Sequence, residues 1–536
     1  MNKLMSTLKL KNIGCGYLYC YIHFAIEVAC FYFLTTVTNG AKIVWLIPFL
    51  YDGLAFVPQS VIGYFIVGGA VRDAMLIAGL QAESQETAAQ DRAEEGPSDW
   101  DLTTDASPNE MLRVFAGERV IETGLKHGTL TVLLDGMPLE ITTYRVDGTY
   151  TDNRRPDSVS FTKNIDEDLV RRDFTVNAMA YNPQRGLYDP YGGRGDLAAG
   201  ILRAVGKAGV PGEPERRFRE DALRILRALR FAAQLGMTVE EETRRAVFDE
   251  KDRLHNISPE RIREELDKLL QGDHATDVLI KYAEVIAVVI PEMRACIGFD
   301  QHTPYHRYNV WDHCAHAVEF ARMSVPTAVA LQETAASREE WIDSVRQGIS
   351  CLKWAALLHD IEKPACFFQT DDGNGHFYGH SEKSAKTADR ILERLHFDNA
   401  RREKIVMLVA NHDRQFVLDV KPVKRAIRKF GKQDLLLLMD LYSADVSAQS
   451  DLAADRLRGH DFMRAAVMQL SKEPEAAFSR KDLAVKGGDM AALGYEGKAI
   501  GTILEMILDA VIEESLPNER EAQLAFAEQK RPVIMC

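Results

Sequence analysis

The stretch YFIVGGAVRDAML, residues 64–76, joins an apolar run to two glycines and then to an arginine and an aspartate. The apolar run predicts a buried strand, and the residues after the glycines predict a helix. Gly68 and Gly69 let a phosphate approach the backbone, where the first N–H groups of the helix would face it. Arg72 would bind phosphate oxygens, and Asp73 would hold that arginine in position. A tight turn with an exposed arginine is the alternative interpretation.

The segment SDWDLTTDASPNEM, residues 98–111, places two aspartates around a tryptophan. On a strand, residues two apart point to the same face, so the carboxylates of Asp99 and Asp101 aim at one point. Such a pair suits Mg²⁺, which is usually held by one or two carboxylates plus substrate phosphates. Most such pairs lie on solvated turns, but the upstream glycines favour a metal site. Glu140, in the predicted strand PLEITTYRV, is either a third carboxylate here or an ordinary exposed strand residue.

The segment DLVRRDFTVNAMAYNP, residues 168–183, combines cations with an asparagine. Arg172, beside Asp173, is a candidate triphosphate ligand because guanidinium groups bind phosphate oxygens strongly. Asn177 is predicted inside the start of an apolar helix, where asparagine is unfavourable, so a compensating contact is expected. All three residues are candidates for nucleotide binding.

The run FREDALRILRALRFAAQL has apolar residues at helical spacing. Asp221 and Arg224 lie three apart on this predicted helix, so they form either an ion pair or a reader of base edges. The carboxylate accepts hydrogen bonds and the guanidinium donates them. The pair therefore complements an exocyclic amine beside an unprotonated ring nitrogen, as in cytosine and adenine. Uracil and guanine present a carbonyl beside a ring N–H, so the pair would set acceptor against acceptor and donor against donor. Arg227 and Arg230 continue along the helix, where they would reach bound phosphates.

Six motifs occur in order, namely VGGAVRD, DWDLTT, EITTYRVDGTYTDNRRPDSVSF, RRDFTVNAMAY, EDALRILRALRFAAQLG and ISPERIREEL. This set resembles the class II tRNA nucleotidyltransferases, the CCA-adding enzymes, and their poly(A) polymerase relatives. The resemblance implies that Asp99 and Asp101 bind the catalytic metals. It also implies triphosphate contacts by Gly69 and Arg72 and a further nucleotide contact by Arg172. The implied base-reading template is Asp221 with Arg224, and Arg227 and Arg230 support it. An acidic insertion at 81–97 and the unmatched residues 1–60 depart from the family.

The resemblance implies an α+β fold class, with a small mixed β-sheet nucleotidyltransferase head followed by an all-helical neck, body and tail. The predicted domains are a divergent N-terminal segment at 1–60, the head at 61–200, a helical neck and RNA-binding region at 201–295, an HD-type helical domain at 296–450 and a helical tail at 451–536.

The implied activity is CCA addition, the template-free transfer of CMP and AMP from CTP and ATP to the tRNA 3′-end with release of pyrophosphate. The implied cofactor is Mg²⁺, and the implied partners are tRNA, ATP and CTP. The segment at 145–158 is rich in glycine, aspartate and asparagine, which suits a mobile element. Its full length argues against a CC-only enzyme. The alternatives are a poly(A) polymerase, the A-adding enzyme of a split pair, or a phosphohydrolase whose head only binds RNA.

A second constellation lies within YNVWDHCAHAVEF, LKWAALLHDIEKP and LYSADVSAQ. It resembles the HD-domain metal-dependent phosphohydrolases, which implies a second divalent metal and an additional hydrolase activity. The implied ligands are His313, His359, Asp360 and Asp445; His380 and His412 add two further imidazoles nearby in sequence. Glu362 stands where that family usually has glycine, which speaks against catalytic competence.

Composition indicates a globular chain: 536 residues, 46% hydrophobic, with a formal net charge of −14. An RNA partner therefore needs local basic patches, and residues 216–231 and 421–432 are either such patches or solvated helix faces. The eight cysteines form no C-x-x-C pair, and a reducing cytoplasm is expected. The apolar N-terminal run is interrupted by His23 and Glu27, so no stable membrane association is expected. A membrane-tethered RNA-binding protein is the third alternative.

Overall fold

The computed structural model describes residues 64–83, 101–134, 137–148, 159–182, 184–206, 210–415, 417, 419–472 and 478–534. The predictions for residues 1–60, for Asp99 and for most of the 145–158 segment therefore lie outside the described residues. The chain divides into two compact units, the first drawn mainly from residues before 214 and the second mainly from 214 onward.

The first unit is built on a mixed seven-stranded sheet with the order β3-β4-β5-β2-β1-β8-β9. β2 and β5 pair in parallel, and the other neighbours pair antiparallel. A separate ribbon pairs β6 with β7. The strands are β1 Tyr64–Val67, β2 Asp101–Thr104, β3 Arg119–Ile121, β4 Thr129–Leu134, β5 Met137–Thr143, β6 Arg145–Asp147, β7 Val159–Phe161, β8 Ala180–Asn182 and β9 Gly186–Tyr188.

The central strand β1 is buried on both faces, as its unbroken apolar sequence predicts. Tyr64 and Ile66 pack into one apolar core, whereas Phe65 and Val67 pack into another. This division follows from the alternation of side chains along a strand. The helices of this unit are α1 Gly69–Glu83, α2 Pro108–Val114, α3 Ile165–Val170 and α4 Gly193–Ala198.

The second unit is mainly helical in its described part. Two short ribbons pair β10 Ile201–Leu202 with β11 Thr238–Val239, and β12 Phe368–Gln369 with β13 Gly375–His376. The helices are α5 Glu213–Glu220, α6 Leu223–Leu235, α7 Glu241–Glu250, α8 Pro259–Leu270, α9 Ala275–Lys281, α10 Ala283–Val289, α11 Val310–Phe320, α12 Val325–Gln332, α13 Arg338–Leu358, α14 Lys363–Cys366, α15 His380–Arg394, α16 Asn399–Asn411, α17 Val420–Phe430, α18 Lys432–Ser447, α19 His460–Leu470, α20 Gly487–Ala492, α21 Lys498–Ile512 and α22 Arg520–Ile534.

Helices α11, α13 and α18 form the centre of the body, with Trp311 and Trp354 among its largest fully buried side chains. The last helices share a core of their own, around Ile503 and Ile507. The predicted α+β class, a small mixed sheet followed by helices, is confirmed. Within the part of the chain that is described, no helix has the length and apolar character needed to cross a bilayer.

The basic run at 421–432 forms helix α17, and much of its charge is neutralised within the second unit. Arg425 Nε donates to Glu513 Oε1 at 2.7 Å, and Lys424 Nζ donates to Glu514 Oε1 at 2.9 Å. Arg428 pairs with Glu505 and Asp509 on helix α21, which ends just before Glu513. These contacts favour the helix-face interpretation of this run.

Candidate nucleotide site and candidate metal centre

In the first unit, Gly68 ends β1 in the left-handed region, with φ of +69°. A Cβ at this position would lie 2.8 Å from Arg172 Nη1 and 3.9 Å from Asp101 Oδ2. Glycine is therefore required both by the backbone and by the guanidinium packed over it. Three residues predicted from separate motifs thus meet at the end of one strand.

Arg72 is held by two oxygens from different elements. Its Nε donates to Asp73 Oδ1 at 2.7 Å, as predicted, and its Nη1 donates to Asn177 Oδ1 at 2.7 Å. Asn177 Nδ2 in turn donates to Asp173 Oδ1 at 3.0 Å. The expectation that Asn177 lies inside a helix is wrong, because it ends a single 3₁₀ turn at Thr175–Asn177 that leads into β8. The side-chain amide of Asn177 therefore links Arg72 to Asp173.

Asp168 is a fully buried carboxylate that the sequence analysis did not single out. Arg171 Nη2 donates to its Oδ1 at 2.7 Å, and Arg172 Nη2 lies 3.6 Å from its Oδ2. It also accepts from Thr103 Oγ1 at 3.5 Å and from the backbone N–H of Arg145 at 3.3 Å. Burial alone would raise the pKa of Asp168, but the two guanidinium groups outweigh burial and lower it. Its position three and four residues before two arginines was the available sequence signal.

Asp101 begins β2 and is exposed, whereas the next three residues are buried. In the parallel pairing of β2 with β5, it lies directly beside Glu140, which is also exposed. Like charges opposite one another on neighbouring strands are destabilising, and a divalent cation would relieve the repulsion. These oxygen donors fit Mg²⁺.

In the second unit, the expectation that Asp221 and Arg224 share one helix is wrong. α5 ends at Glu220 and α6 begins at Leu223, so Asp221 occupies the junction. Its Oδ1 accepts from the Leu223 N–H at 3.1 Å, and its Oδ2 accepts from Arg261 Nη2 at 2.9 Å. An aspartate at such a junction accepts a hydrogen bond from a backbone N–H at the start of the following helix, which stabilises that helix.

Arg224 is anchored on the other side of this junction. Its Nη1 donates to Glu220 Oε2 at 2.9 Å and to the Arg217 carbonyl at 3.2 Å. The predicted template residues therefore bind different partners: Arg224 pairs with Glu220 four residues before it, whereas Asp221 pairs with the distant Arg261.

The supporting arginines of α6 approach a buried glutamate of α8. Arg230 Nε lies 3.3 Å from Glu265 Oε2, and Arg227 Nη1 lies 3.9 Å from Glu265 Oε1. Arg230 is buried and stacks over Phe231, with its guanidinium carbon 4.2 Å from the ring centroid. Arg227 is more exposed, so it is the better placed of the two to bind a ligand.

The body of the second unit gathers all of the predicted HD residues. His313 Nε2 lies 3.3 Å from Asp360 Oδ2 and 3.0 Å from Asp445 Oδ1, and His359 Nε2 lies 3.0 Å from Asp360 Oδ2. His380 Nε2 lies 3.2 Å from the other oxygen of Asp360. His412 Nε2 lies 3.5 Å from that same oxygen. Two overlapping groups of ligand atoms therefore share Asp360.

All four imidazoles are oriented in the same way. Nδ1 of His359, His380 and His412 each lies 2.8 Å from a backbone carbonyl, and Nδ1 of His313 lies 3.4 Å from one. A carbonyl only accepts, so Nδ1 carries a proton in each ring, and a ring in its neutral form presents the lone pair of Nε2 to the cluster, as a metal ligand does. The Nε2 atoms of His313 and His359 are 3.2 Å apart, and those of His380 and His412 are 3.1 Å apart. Facing lone pairs at these distances need a positive charge beside them.

Asp360 is fully buried, and neither of its oxygens makes a well-formed hydrogen bond to the residues that the structure describes. Lys363 Nζ lies 2.6 Å from its Oδ2. Burial lowers the pKa of His359, but the Asp360 and Asp445 carboxylates outweigh burial and raise it to about 10. The cluster thus attracts positive charge, and its donor set of imidazoles and carboxylates suits a transition metal.

Glu362 does not disturb this cluster. Its Oε1 accepts from Thr387 Oγ1 at 2.6 Å on helix α15. Its φ of −100° is open to any residue, so the absence of glycine carries no backbone strain here. The departure from the family pattern therefore does not by itself argue against a working metal site.

The cluster lies in a cavity of about 970 Å³, large enough for a small-molecule ligand. Asp360, His380, His412 and Asp445 line it, together with Lys363. The chain therefore contains a candidate phosphate-binding site in the first unit and a candidate metal centre in the second.

Three family models match the chain. The model described as "Poly A polymerase head domain" matches residues 64–203, and "Probable RNA and SrmB- binding site of polymerase A" matches residues 236–296. A model of tRNA nucleotidyltransferase domain 2 matches residues 378–527. Together the three models match more than half of the chain, and their descriptions are those of poly(A) polymerase and tRNA nucleotidyltransferase domains. The family models leave residues 297–377 unmatched, which hold His313, His359 and Asp360.

Proteins with curated descriptions are similar to part of the chain. The CCA-adding enzyme of Lactobacillus delbrueckii subsp. bulgaricus is 45% identical over 208 residues, covering 39% of this chain and 46% of that protein. The CCA-adding enzyme of Oceanobacillus iheyensis is 43% identical over 217 residues, covering 40% and 48%. The chain thus spans about half the length of the curated relatives it matches.

The fold is similar over most of the chain to the crystal structure of the Bacillus stearothermophilus CCA-adding enzyme in complex with CTP. The TM-score is 0.60, covering 92% of this chain and 99% of that one. At 24% identity this likeness concerns the fold alone.

Proposed function

We propose that the chain is a CCA-adding tRNA nucleotidyltransferase, which transfers CMP and AMP from CTP and ATP to the tRNA 3′-end and releases pyrophosphate. The observation that carries the proposal is the meeting of Gly68, Arg172 and Asp101 at the end of β1. The cation and the carboxylate lie beside the start of α1, whose first N–H groups suit an anion. The identity of 43–45% to CCA-adding enzymes supports the reaction.

In this mechanism the head binds the triphosphate through its arginines. Arg72, fixed by Asp73 and Asn177, presents its guanidinium beside Gly69, where an added Cβ would lie 3.5 Å from Nη2. Arg172 lies over Gly68 and is fixed from behind by the buried Asp168. Because both arginines are held before the substrate arrives, little of their conformational freedom remains to be lost on binding.

Asp99 and Asp101 would hold Mg²⁺, which when bound neutralises phosphate charge and lowers the pKa of an attacking hydroxyl. Asp221 and Arg224 would select the base by accepting from its amine and donating to its ring nitrogen. Since Arg261 already occupies Asp221 Oδ2, it acts as a positioning residue for that carboxylate.

An extension assay tests this function. The full chain is incubated with Mg²⁺, a tRNA that lacks its 3′-end and each nucleoside triphosphate singly, and pyrophosphate is measured. We expect pyrophosphate with CTP alone, and with ATP once two cytidines are present. Release of pyrophosphate with ATP alone on the unextended tRNA would instead indicate a poly(A) polymerase.

We propose a second, metal-dependent phosphohydrolase activity in the body. It is supported by four imidazoles whose Nε2 atoms lie close to Asp360, and by the cavity that Asp360, His380, His412 and Asp445 line. A metal-content measurement by mass spectrometry after loading with Mn²⁺, Fe²⁺ or Zn²⁺, followed by a phosphate-release assay, tests it. The proposal would be contradicted if the wild-type chain held no more metal than an Asp360→Asn variant.

A further inference from the structure

The last three helices, α20 to α22, pack around an apolar core that is distinct from the apolar cluster of the neighbouring body helices. The buried members of this core, which include Ile503 and Ile507, all lie at or after Leu483. The body cluster is built from α12, α17, α18 and α19, and its last buried member is Leu470. Among the described residues, the two clusters share no member. We call residues 483–534 the terminal module, and it has a core of its own.

The terminal module contacts helix α17 of the body through charged side chains. Arg425 donates from Nε and Nη2 to the two carboxylate oxygens of Glu513, at 2.7 and 3.0 Å. Lys424 Nζ donates to Glu514 Oε1 at 2.9 Å, and Arg428 pairs with two acids of α21. The cations all lie on α17 and the acids all lie on the terminal module. The charged contact consists of Lys424, Arg425 and Arg428 with Glu505, Asp509, Glu513 and Glu514.

The backbone at the end of α21 is a second, independent observation. The helix ends at Ile512, and Glu514 follows with φ of +55°, in the left-handed region where glycine is the usual residue. Glutamate is unfavourable in this conformation because its Cβ crowds the backbone. Its carboxylate nevertheless reaches Lys424 from there. The helix end therefore lacks the residue that suits its backbone and carries one that binds the body.

Exposed ion pairs and apolar cores respond differently to salt. The side chains of Arg425 and Glu514 are 58% and 48% exposed. Exposed pairs contribute little individually and are screened by salt, whereas apolar packing is not electrostatic and is not screened. A contact between two separately packed parts that depends on such pairs is therefore expected to open at a salt concentration that leaves both cores folded.

We propose that the charged contact holds the terminal module on the body, and that the module separates reversibly, as a folded unit, when the ionic strength rises. Parts of a chain move relative to one another unless a large apolar interface joins them, and here each part keeps its apolar residues in its own core. The proposal concerns only the contact between α17 and the module, so it stands or falls independently of CCA addition and of metal binding.

Carbodiimide coupling in the full chain tests the proposal, because this reagent joins a lysine amine to a carboxylate only where the two are in contact. The yield of the Lys424–Glu514 amide is measured by mass spectrometry against that of Lys404–Asp434. The control atoms are also 2.9 Å apart, but their helices, α16 and α18, both belong to the body. From 0.1 to 1 M NaCl the screening length falls from about 10 Å to about 3 Å, and the Lys424–Glu514 yield should fall at least about threefold more than the control yield.

A charge exchange within the contact is the second arm of the test. At 0.1 M NaCl, Arg425→Glu places like charges opposite one another and should lower the Lys424–Glu514 yield at least about threefold. Addition of Glu513→Arg makes the charges opposite again and should restore the yield. Small-angle X-ray scattering from the same samples should show a larger maximum dimension at 1 M NaCl and in Arg425→Glu, and the original dimension in the exchanged pair.

Equal salt dependence of the two amides, an unchanged yield in Arg425→Glu, or no restoration by Glu513→Arg overturns the proposal. Loss of the amide without a larger maximum dimension also overturns it, because the side chains would then part while the module stays in place. Circular dichroism at 1 M NaCl should retain the full helical signal. A loss of that signal would show unfolding instead of separation and would count against the proposal.

Discussion

The candidate site in the head and the candidate site in the body attract charges of opposite sign. The head site is made of guanidinium groups packed at a glycine turn, with Arg72 and Arg172 close to Gly68 and Gly69, and so it attracts anions. The body site is made of imidazoles that direct lone pairs at a buried carboxylate, Asp360, and so it attracts cations. In both sites, hydrogen bonds from outside the site fix the orientation of the charged groups. The comparison shows that an anion site and a cation site can be distinguished on one chain by the direction in which hydrogen-bond donors and acceptors point.

The largest expected effect comes from one variant at each site, and each variant should abolish the property of its own site only. Asp101→Ala should lower nucleotidyl transfer by about a thousandfold, since it removes a metal ligand whose charge stabilises the reacting phosphates. It should leave the metal content of the body unchanged. Asp360→Asn should lower the metal retained by the body at least about tenfold and leave transfer unchanged. Transfer rates and metal content measured on both variants check this, and loss of both properties in either variant would contradict it.

A glycine pair supplies the next test. Gly68→Ala introduces a side chain at φ of +69° and within 2.8 Å of Arg172, so it should cost about 1–3 kcal/mol of stability and lower transfer at least about tenfold. Gly69→Ala is the matched control for stability alone, because an added Cβ there meets only ordinary contacts, the nearest at 3.5 Å from Arg72. Thermal unfolding of both variants and kcat/KM of Gly68→Ala for CTP measure the two effects. Equal losses of stability in both variants would show that the backbone at Gly68 has no special role.

The base-reading hypothesis predicts a smaller change that is confined to specificity. Asp221→Ala should lower discrimination against UTP and GTP by about tenfold, as expected for loss of one acceptor to a base edge. Metal binding by the head should not change. Arg261→Lys should reduce discrimination less, because it preserves a cation near Asp221 Oδ2. Single-turnover incorporation of each nucleotide gives the ratios, and undiminished rejection of UTP by Asp221→Ala would refute the hypothesis.

Much of this could be predicted from the sequence because the signals are local. Arg72 follows the glycine pair within the same short motif, and His359 and Asp360 are adjacent in another. The orientation of Asp221 could not be predicted, since it depends on Arg261, forty positions away. The helix break before Leu223 was missed for a different reason, because the apolar periodicity of the sequence continues through it. Asp168 was missed because its burial is a property of tertiary packing.

The basic helix α17 gives the smallest expected effect. Arg425 is paired with Glu513 on the tail, so Arg425→Ala should change tRNA affinity by less than about twofold. The salt dependence of tRNA binding should also keep its slope, because no phosphate contact is lost. Titrations at several salt concentrations test this, and a slope reduced by about one unit would restore α17 as an RNA-binding surface.

The most direct test of the central claim is to sequence the 3′-ends of tRNA after incubation with Mg²⁺, CTP and ATP. The account predicts tRNA ending in CCA with the wild-type chain and unextended tRNA with Asp101→Ala, while the metal content of the body is the same in both. Long runs of adenosine, addition of adenosine alone, or CCA addition that survives Asp101→Ala would contradict it.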